Sequence, residues 1–143
     1  MDLEIPVGKQ TAIVGLSGSG KSTLFKILLK HYDTYEGSVL LGNQNLHNIS
    51  ASAWRSISGA VLQDGVIFDG TIAKNITLGS SVSDKEKLRH VSEITNCFDF
   101  ISKFPLGFNT IIGGRIGLQL SAGEMQRILI ARALYKDPDF FFR

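Results

Sequence analysis

Gly15-Leu16-Ser17-Gly18-Ser19-Gly20-Lys21-Ser22 is the stretch on which the reading of this chain turns. It follows the pattern G-x-x-x-x-G-K-[ST] at every fixed position, and its surroundings are those the pattern requires. Upstream, Lys9 to Val14 is β-branched and runs into glycine, so a short strand is expected there. Downstream, Lys21 to Tyr32 carries Leu24, Ile27, Leu28 and Tyr32 at helical spacing. Glycines let backbone N–H groups turn inward around an anion. A helix that begins near Lys21 adds the positive end of its dipole. In such a loop the lysine reaches the β- and γ-phosphates of a nucleotide, and the Ser22 hydroxyl ligates Mg²⁺.

Outward from the loop, Gly37 to Leu41 reads as a second strand and Gly42-Asn43 as its turn. A short helix over Ala51 to Ser56 precedes a strand over Gly59 to Leu62. This alternation argues an α/β architecture. From about Thr71 to Phe104 the signals are helical, and Ser83-Asp84-Lys85-Glu86 fits a capping box opening a helix through Ile94. Gly107 to Gln119 holds four glycines and reads as loop. Ser121 to Lys136 is a long helix ended by Pro138, and Phe140 to Phe142 looks like the start of a strand.

Composition limits the rest. With 143 residues, 43% of them hydrophobic, the chain has the length and apolar content of one domain. Fifteen Lys+Arg against thirteen Asp+Glu give a net charge of +2, which argues against a nucleic-acid partner. The single cysteine, Cys97, precludes an internal disulfide or a zinc cluster and fits a reducing compartment. No stretch approaches the ~18 apolar residues of a membrane helix. The most apolar segment, Ile128 to Tyr135, is interrupted by Arg132.

A phosphate loop serves kinases, GTPases, motors and transporters alike. Two further segments narrow the field. Leu120-Ser121-Ala122-Gly123-Glu124-Met125-Gln126-Arg127, continued by Ala131-Arg132-Ala133-Leu134, resembles the signature motif and helix of ABC-type ATPases. Val61-Leu62-Gln63-Asp64, with Phe68, Gly70-Thr71-Ile72 and Asn75-Ile76, is similar to the Q-loop region of that family's exporters. Forty-two residues separate Lys21 from Gln63 and one hundred separate it from Ser121. Both intervals suit a transporter ATPase, whereas the related chromosome-maintenance and repair ATPases insert a long coiled coil. The resemblance runs from about Val7 to Phe142 and is nearest to bacterial exporters of peptides, proteins and lipids.

It implies an α/β P-loop NTPase core with a helical subdomain between the Q-loop and the signature helix. Residues 1–63 and 126–143 would form the ATP-binding core lobe, in part, and residues 64–125 the helical subdomain. It implies ATP and Mg²⁺ as cofactors. Gly15 and Ser17, Gly18, Ser19, Gly20, Lys21, Ser22 and Thr23 would wrap the phosphates. Ser22 and Gln63 would meet the metal, and Gln63 would also touch the attacking water and serve as the catalytic residue. Ser121, Gly123 and Glu124 would face ATP held by a second domain in a head-to-tail dimer. A transmembrane domain, fused or separate, would be the other partner and would place the chain at the cytoplasmic face of the membrane. ATP hydrolysis would drive transport in the full-length protein. The alternatives are a truncated or degenerate domain without ATPase activity, and a soluble ABC-type ATPase acting on ribosomes or DNA.

Several residues also have plain structural readings. Ser121-x-x-Glu124 is a capping box in its own right, which explains both residues but not Gly123 or the Gln126-Arg127 pair. His31, His47 and His90 lack metal-ligand spacing. Cys97 reads as a small core residue and Trp54 as packing. Lys85, Lys87 and Arg89 read as a solvated helix face.

The chain departs from the family pattern at four places. Ala122 and Glu124 replace the usual Gly and Gln of the signature. Gly113-Gly114 stand where exporters often carry a glutamate. No aromatic residue precedes Phe25, although the family stacks adenine on one upstream of the phosphate loop. Beyond Phe142 stands only Arg143, where the family continues its apolar strand into an Asp and a catalytic Glu. Asp139 precedes the apolar run and is not that aspartate. The expectation is therefore an incomplete domain, inactive alone.

Overall fold

The computed structural model describes residues 2–32, 35–62, 64–78 and 84–143. The chain forms two compact units, Met1–Ile49 and Ser50–Arg143.

In the first unit, α1 (Lys21–Leu28) follows the glycine loop directly. It ends four residues before the expected Tyr32, through a left-handed residue. Lys30 takes φ 55°, its N–H donates to Ile27 O at 2.9 Å, and His31 N–H donates to Lys26 O at 2.8 Å. These are the two bonds of a Schellman stop. The Lys30 ammonium then donates to Leu46 O at 3.0 Å and Ile49 O at 2.5 Å, which favours the turn over another helical residue. The second expected strand shrinks to β1 (Leu40–Leu41), paired antiparallel with β2 (Gln44–Asn45) around the Gly42-Asn43 turn. A short 3₁₀ turn, Leu46–Asn48, follows.

The strand expected over Lys9 to Val14 is not formed. The segment has no ladder pairing, and Val14 is 88% exposed. A strand is held by its neighbours' hydrogen bonds, and no described strand pairs with this one.

In the second unit, Ser50 caps α2 (Ala51–Ile57), its side chain accepting from Ala53 N–H at 3.1 Å. β3 (Ser58–Ala60) pairs in parallel with β6 (Phe140–Phe142), Gly59 opposite Phe141. Trp54 is buried against both ends of β6, its ring 5.2 Å from Phe140 and 6.3 Å from Phe142. Its expected packing role holds.

β4 (Gly70–Thr71) leads into α3 (Ile72–Thr77), followed by α4 (Lys85–Ile94) and α5 (Phe98–Ile101). Asp84 caps α4, accepting from Glu86 N–H at 2.9 Å and Lys87 N–H at 3.0 Å. A carboxylate oxygen accepts two such bonds more strongly than a hydroxyl; Ser83 lies outside the described residues. The expected loop over 107–119 contains a 3₁₀ turn, Gly107–Asn109, and β5 (Ile111–Ile112), which pairs antiparallel with β4. α6 (Ala122–Leu134) closes the unit. Its Ile128 and Ala131 join Ile72, Ile76, Leu88, Val91, Cys97, Phe100, Ile101 and Ile112 in one core. Cys97 lies in that core, as expected, and its burial raises the thiol pKa.

On this face of α4 Lys85 and Arg89 are exposed, as the sequence implied, and Lys87 is half-buried. Lys87 pairs with Asp137 and stands over the Tyr135 ring, and Arg89 pairs with Glu93 at 2.8 Å while covering Phe98. Long basic side chains bury their stems on aromatic faces while keeping the charge wet.

Candidate functional site

The glycine loop is built to leave backbone donors exposed. Gly20 is the N-cap of α1, at φ 88°, a conformation that a side chain disfavours. No side chain caps α1, and its first turn holds no acidic residue. The positive end of the helix is thus bare, with Ser22 and Thr23 exposed on its first turn. Ser19 N–H closes the loop onto Leu16 O at 3.2 Å, and Gly18 lies at φ 80°. At Gly15 a Cβ would stand 2.8 Å from Ser19 Oγ, the end of a side chain that can turn away.

The Lys21 ammonium arches back over this loop. It donates to Gly15 O at 2.8 Å, Leu16 O at 2.6 Å and Ser19 Oγ at 3.3 Å. The cation is therefore placed over the loop by the loop's own carbonyls. Ser17 is exposed in the same turn. An ammonium, hydroxyls and an uncapped helix start form a donor set suited to phosphate oxygens. No group of three or more His, Cys, Asp or Glu that could hold a metal occurs among the described residues. Mg²⁺ here would thus be held by the Ser22 hydroxyl together with phosphate oxygens, as this ion usually is. Gln63 lies outside the described residues.

The second constellation opens α6. Ser121 is its N-cap: the backbone N–H donates to Glu124 Oε2 at 2.9 Å, and Glu124 N–H donates to Ser121 Oγ at 3.3 Å. The hydroxyl itself donates to Glu124 Oε2 at 2.7 Å. These bonds hold the Glu124 carboxyl below its ordinary range, with Arg127 and Lys103 adding to the effect. The carboxylate is thus folded back onto the cap. Gly123 is exposed, and the nearest atom to a Cβ there would be Arg127 Nη2, 4.0 Å away. Packing within the chain does not require glycine at that position.

Sequence reasoning missed a third constellation. Arg132 of α6 donates through Nε to Asn75 O at 2.8 Å, through Nη2 to Asn75 Oδ1 at 2.9 Å, and through Nη1 to Val66 O at 2.8 Å. Burial pulls the guanidinium pKa down from its ordinary range. Asn75 and Arg132 both stand in the segments that resemble the family, and Arg132 interrupts the apolar run from Ile128 to Tyr135, but neither signal indicated their pairing.

The family model for ABC transporters matches residues 1–142. The chain belongs to the ABC transporter family. Members of this family bind ATP and use Mg²⁺. The chain is 47% identical over 139 residues to the ABC multidrug transporter mdr2 of Aspergillus fumigatus, covering 97% of this chain and 17% of that protein. It is 42% identical over 138 residues to the human mitochondrial iron-sulfur clusters transporter ABCB7, covering 96% of this chain and 18% of that protein. A solved structure of a bacterial Atm1-family ABC exporter with ATP bound superposes with a TM-score of 0.81 at 38% identity, covering 89% of this chain and 22% of that one. The P-loop NTPase fold and the exporter resemblance are thereby established. The chain spans about a fifth of the length of the curated relatives it matches.

Proposed function

We propose that this ABC transporter chain is the nucleotide-binding part of an exporter, binding Mg-ATP and, in the full-length protein, hydrolysing it to drive transport. The observation that carries the reading is the bare start of α1 behind the glycine loop, with the Lys21 ammonium held over it. Gly15 to Thr23 would bind the phosphates through backbone N–H groups and Lys21, and Ser22 with Gln63 would hold the metal. Mg²⁺, when bound, neutralises charge on the β- and γ-phosphate oxygens. Gln63 would orient the attacking water. Residues 1–63 with 126–143 form the ATP-binding lobe in this reading, and 64–125 the helical subdomain.

Ser121 and Gly123 would meet the γ-phosphate bound by a second domain in a head-to-tail dimer. The exposed Gly123 leaves the approach to the α6 N-terminus open, and the Glu124 carboxylate is tied to the cap rather than extended. No described helix is long and apolar enough to cross a membrane. A transmembrane domain, fused or separate, is the proposed partner, and the cytoplasmic face of its membrane the proposed location. Relatives named for multidrug, iron-sulfur cluster and heavy-metal transport all share this domain at 38–47% identity. Cargo choice is therefore assigned to the transmembrane part and not to these residues.

Phosphate release by the full-length protein in membrane vesicles tests the reading. ATP-dependent turnover that is lost in Lys21→Ala is the expected result. Turnover unchanged by that substitution would overturn it.

A further inference from the structure

Val66 and Phe68 are 62% and 56% exposed, yet the backbone that carries them is held from three directions. Asn75, only 1% exposed, accepts from Phe68 N–H through Oδ1 at 2.8 Å. Its Nδ2 donates to Phe68 O at 2.9 Å and to Thr71 O at 3.1 Å. Arg132 adds the bond to Val66 O, and its guanidinium carbon lies 4.8 Å from the Phe68 ring centroid. On the other side, the loop leading to Ser121 lies close against the Phe68 backbone and the Asp69 side chain. A Cβ at Gly113 would stand 2.9 Å from Phe68 O, and one at Gly114 2.5 Å from Asp69 Oδ2.

Arg132 is half-buried and its three bonds all go to uncharged oxygens. A salt bridge would have supplied charge compensation. Neutral amide and carbonyl acceptors supply direction instead, because the planar guanidinium fork fixes the angle between the groups it joins. A lysine has the charge but not the fork.

We propose that Arg132 and Asn75 are positioning residues that lock the exposed Val66–Phe68 segment to the helix headed by Ser121, so that the segment and the signature move as one piece. The proposal rests on the exporter reading above, in which Ser121 meets a nucleotide on a second domain. Displacement of α6 would be delivered to Val66 and Phe68 without lag, and force applied at those two side chains would reach Ser121. Neither Arg132 nor Asn75 touches nucleotide in this scheme, so their loss should affect turnover and not nucleotide affinity.

The test uses Arg132→Lys in the full-length protein, with two readouts. Amide hydrogen exchange over residues 66–70 should accelerate about two- to thirtyfold, the range open to a coupling residue that contacts no ligand, while α4 amides keep their rates. In ATP hydrolysis kcat should fall by a similar factor with KM unchanged. Equal acceleration in α4 would make Arg132 an ordinary stabilising residue and overturn the proposal. So would unchanged exchange over 66–70, or unchanged kcat in an otherwise active protein. A wild-type protein without ATPase activity would refute the exporter reading alone, since the exchange result reports the lock independently. Should Arg132→Lys not fold, Phe68→Leu removes the ring beneath the guanidinium at an exposed position. It is expected to lower kcat about twofold with KM unchanged, and an unaltered kcat overturns the proposal.

Discussion

Ser121 and Glu124 bond reciprocally at the head of α6: the serine N–H and hydroxyl both donate to Glu124 Oε2, and the glutamate N–H returns a bond to the serine Oγ. The ionised carboxylate is the form that accepts these bonds, so its pKa lies below the ordinary value near 4.5. A carboxylate depressed in the folded state contributes stability above its unfolded pKa. That contribution is lost as pH falls through the lower, folded value. Glu124→Gln keeps a cap without the charge. It should cost well under the ~0.5–2 kcal/mol of a lost cap at pH 7. The gap between wild type and variant should narrow as pH falls below 4.5. Thermal melts of both forms between neutral and acid pH check this; a gap that widens in acid contradicts the cap.

At Lys21 the expected outcome separates binding from folding. The ammonium bonds only exposed loop atoms, so Lys21→Ala should shift stability by no more than about 0.5 kcal/mol. Mg-ATP binding, measured by titration calorimetry, should be abolished. Retained affinity would mean that the backbone donors suffice.

How much of this was readable beforehand follows from the range of each interaction. The α6 start was legible because Ser121 and Glu124 are three residues apart and the box is local. β6 was legible as an apolar triplet, and Trp54 and Cys97 as core. The Lys9–Val14 strand failed because its propensity was local but its ladder would be remote. α1 stopped early because Lys30 found carbonyls sixteen and nineteen residues on. The Arg132 bonds reach back fifty-seven and sixty-six residues, beyond any spacing rule. The phosphate loop was legible as a pattern, but the return of the Lys21 ammonium onto Gly15 O and Leu16 O was not.

Gly117 gives a steric prediction that backbone conformation does not confound. A Cβ there would collide with Gly113 O and lie 2.6 Å from Ile112 C, both backbone atoms at the end of β5 and the turn that follows it. Neither can rotate away. Gly117→Ala should therefore cost at least the ~1–3 kcal/mol typical of overpacking. Gly123→Ala, with nothing nearer than a guanidinium 4.0 Å off, should leave stability nearly unchanged. Denaturant midpoints of the two variants decide it; similar costs would contradict the described turn.

The core joining α3 to α6 gives the largest expected effect. Ile76 and Ile128 are both fully buried in one cluster, on α3 and α6 respectively. Truncating either to alanine removes three carbons and leaves a void that fixed helices fill poorly, at a cost of about 2–5 kcal/mol. Total stability for a domain of this size is about 5–15 kcal/mol, so either substitution should visibly lower the melting temperature. Because the two side chains belong to one cluster, the double variant should depart from additivity by about 0.5–3 kcal/mol. Denaturant unfolding of the single and double variants measures this coupling. Strict additivity would mean that Ile76 and Ile128 line separate spaces within that core.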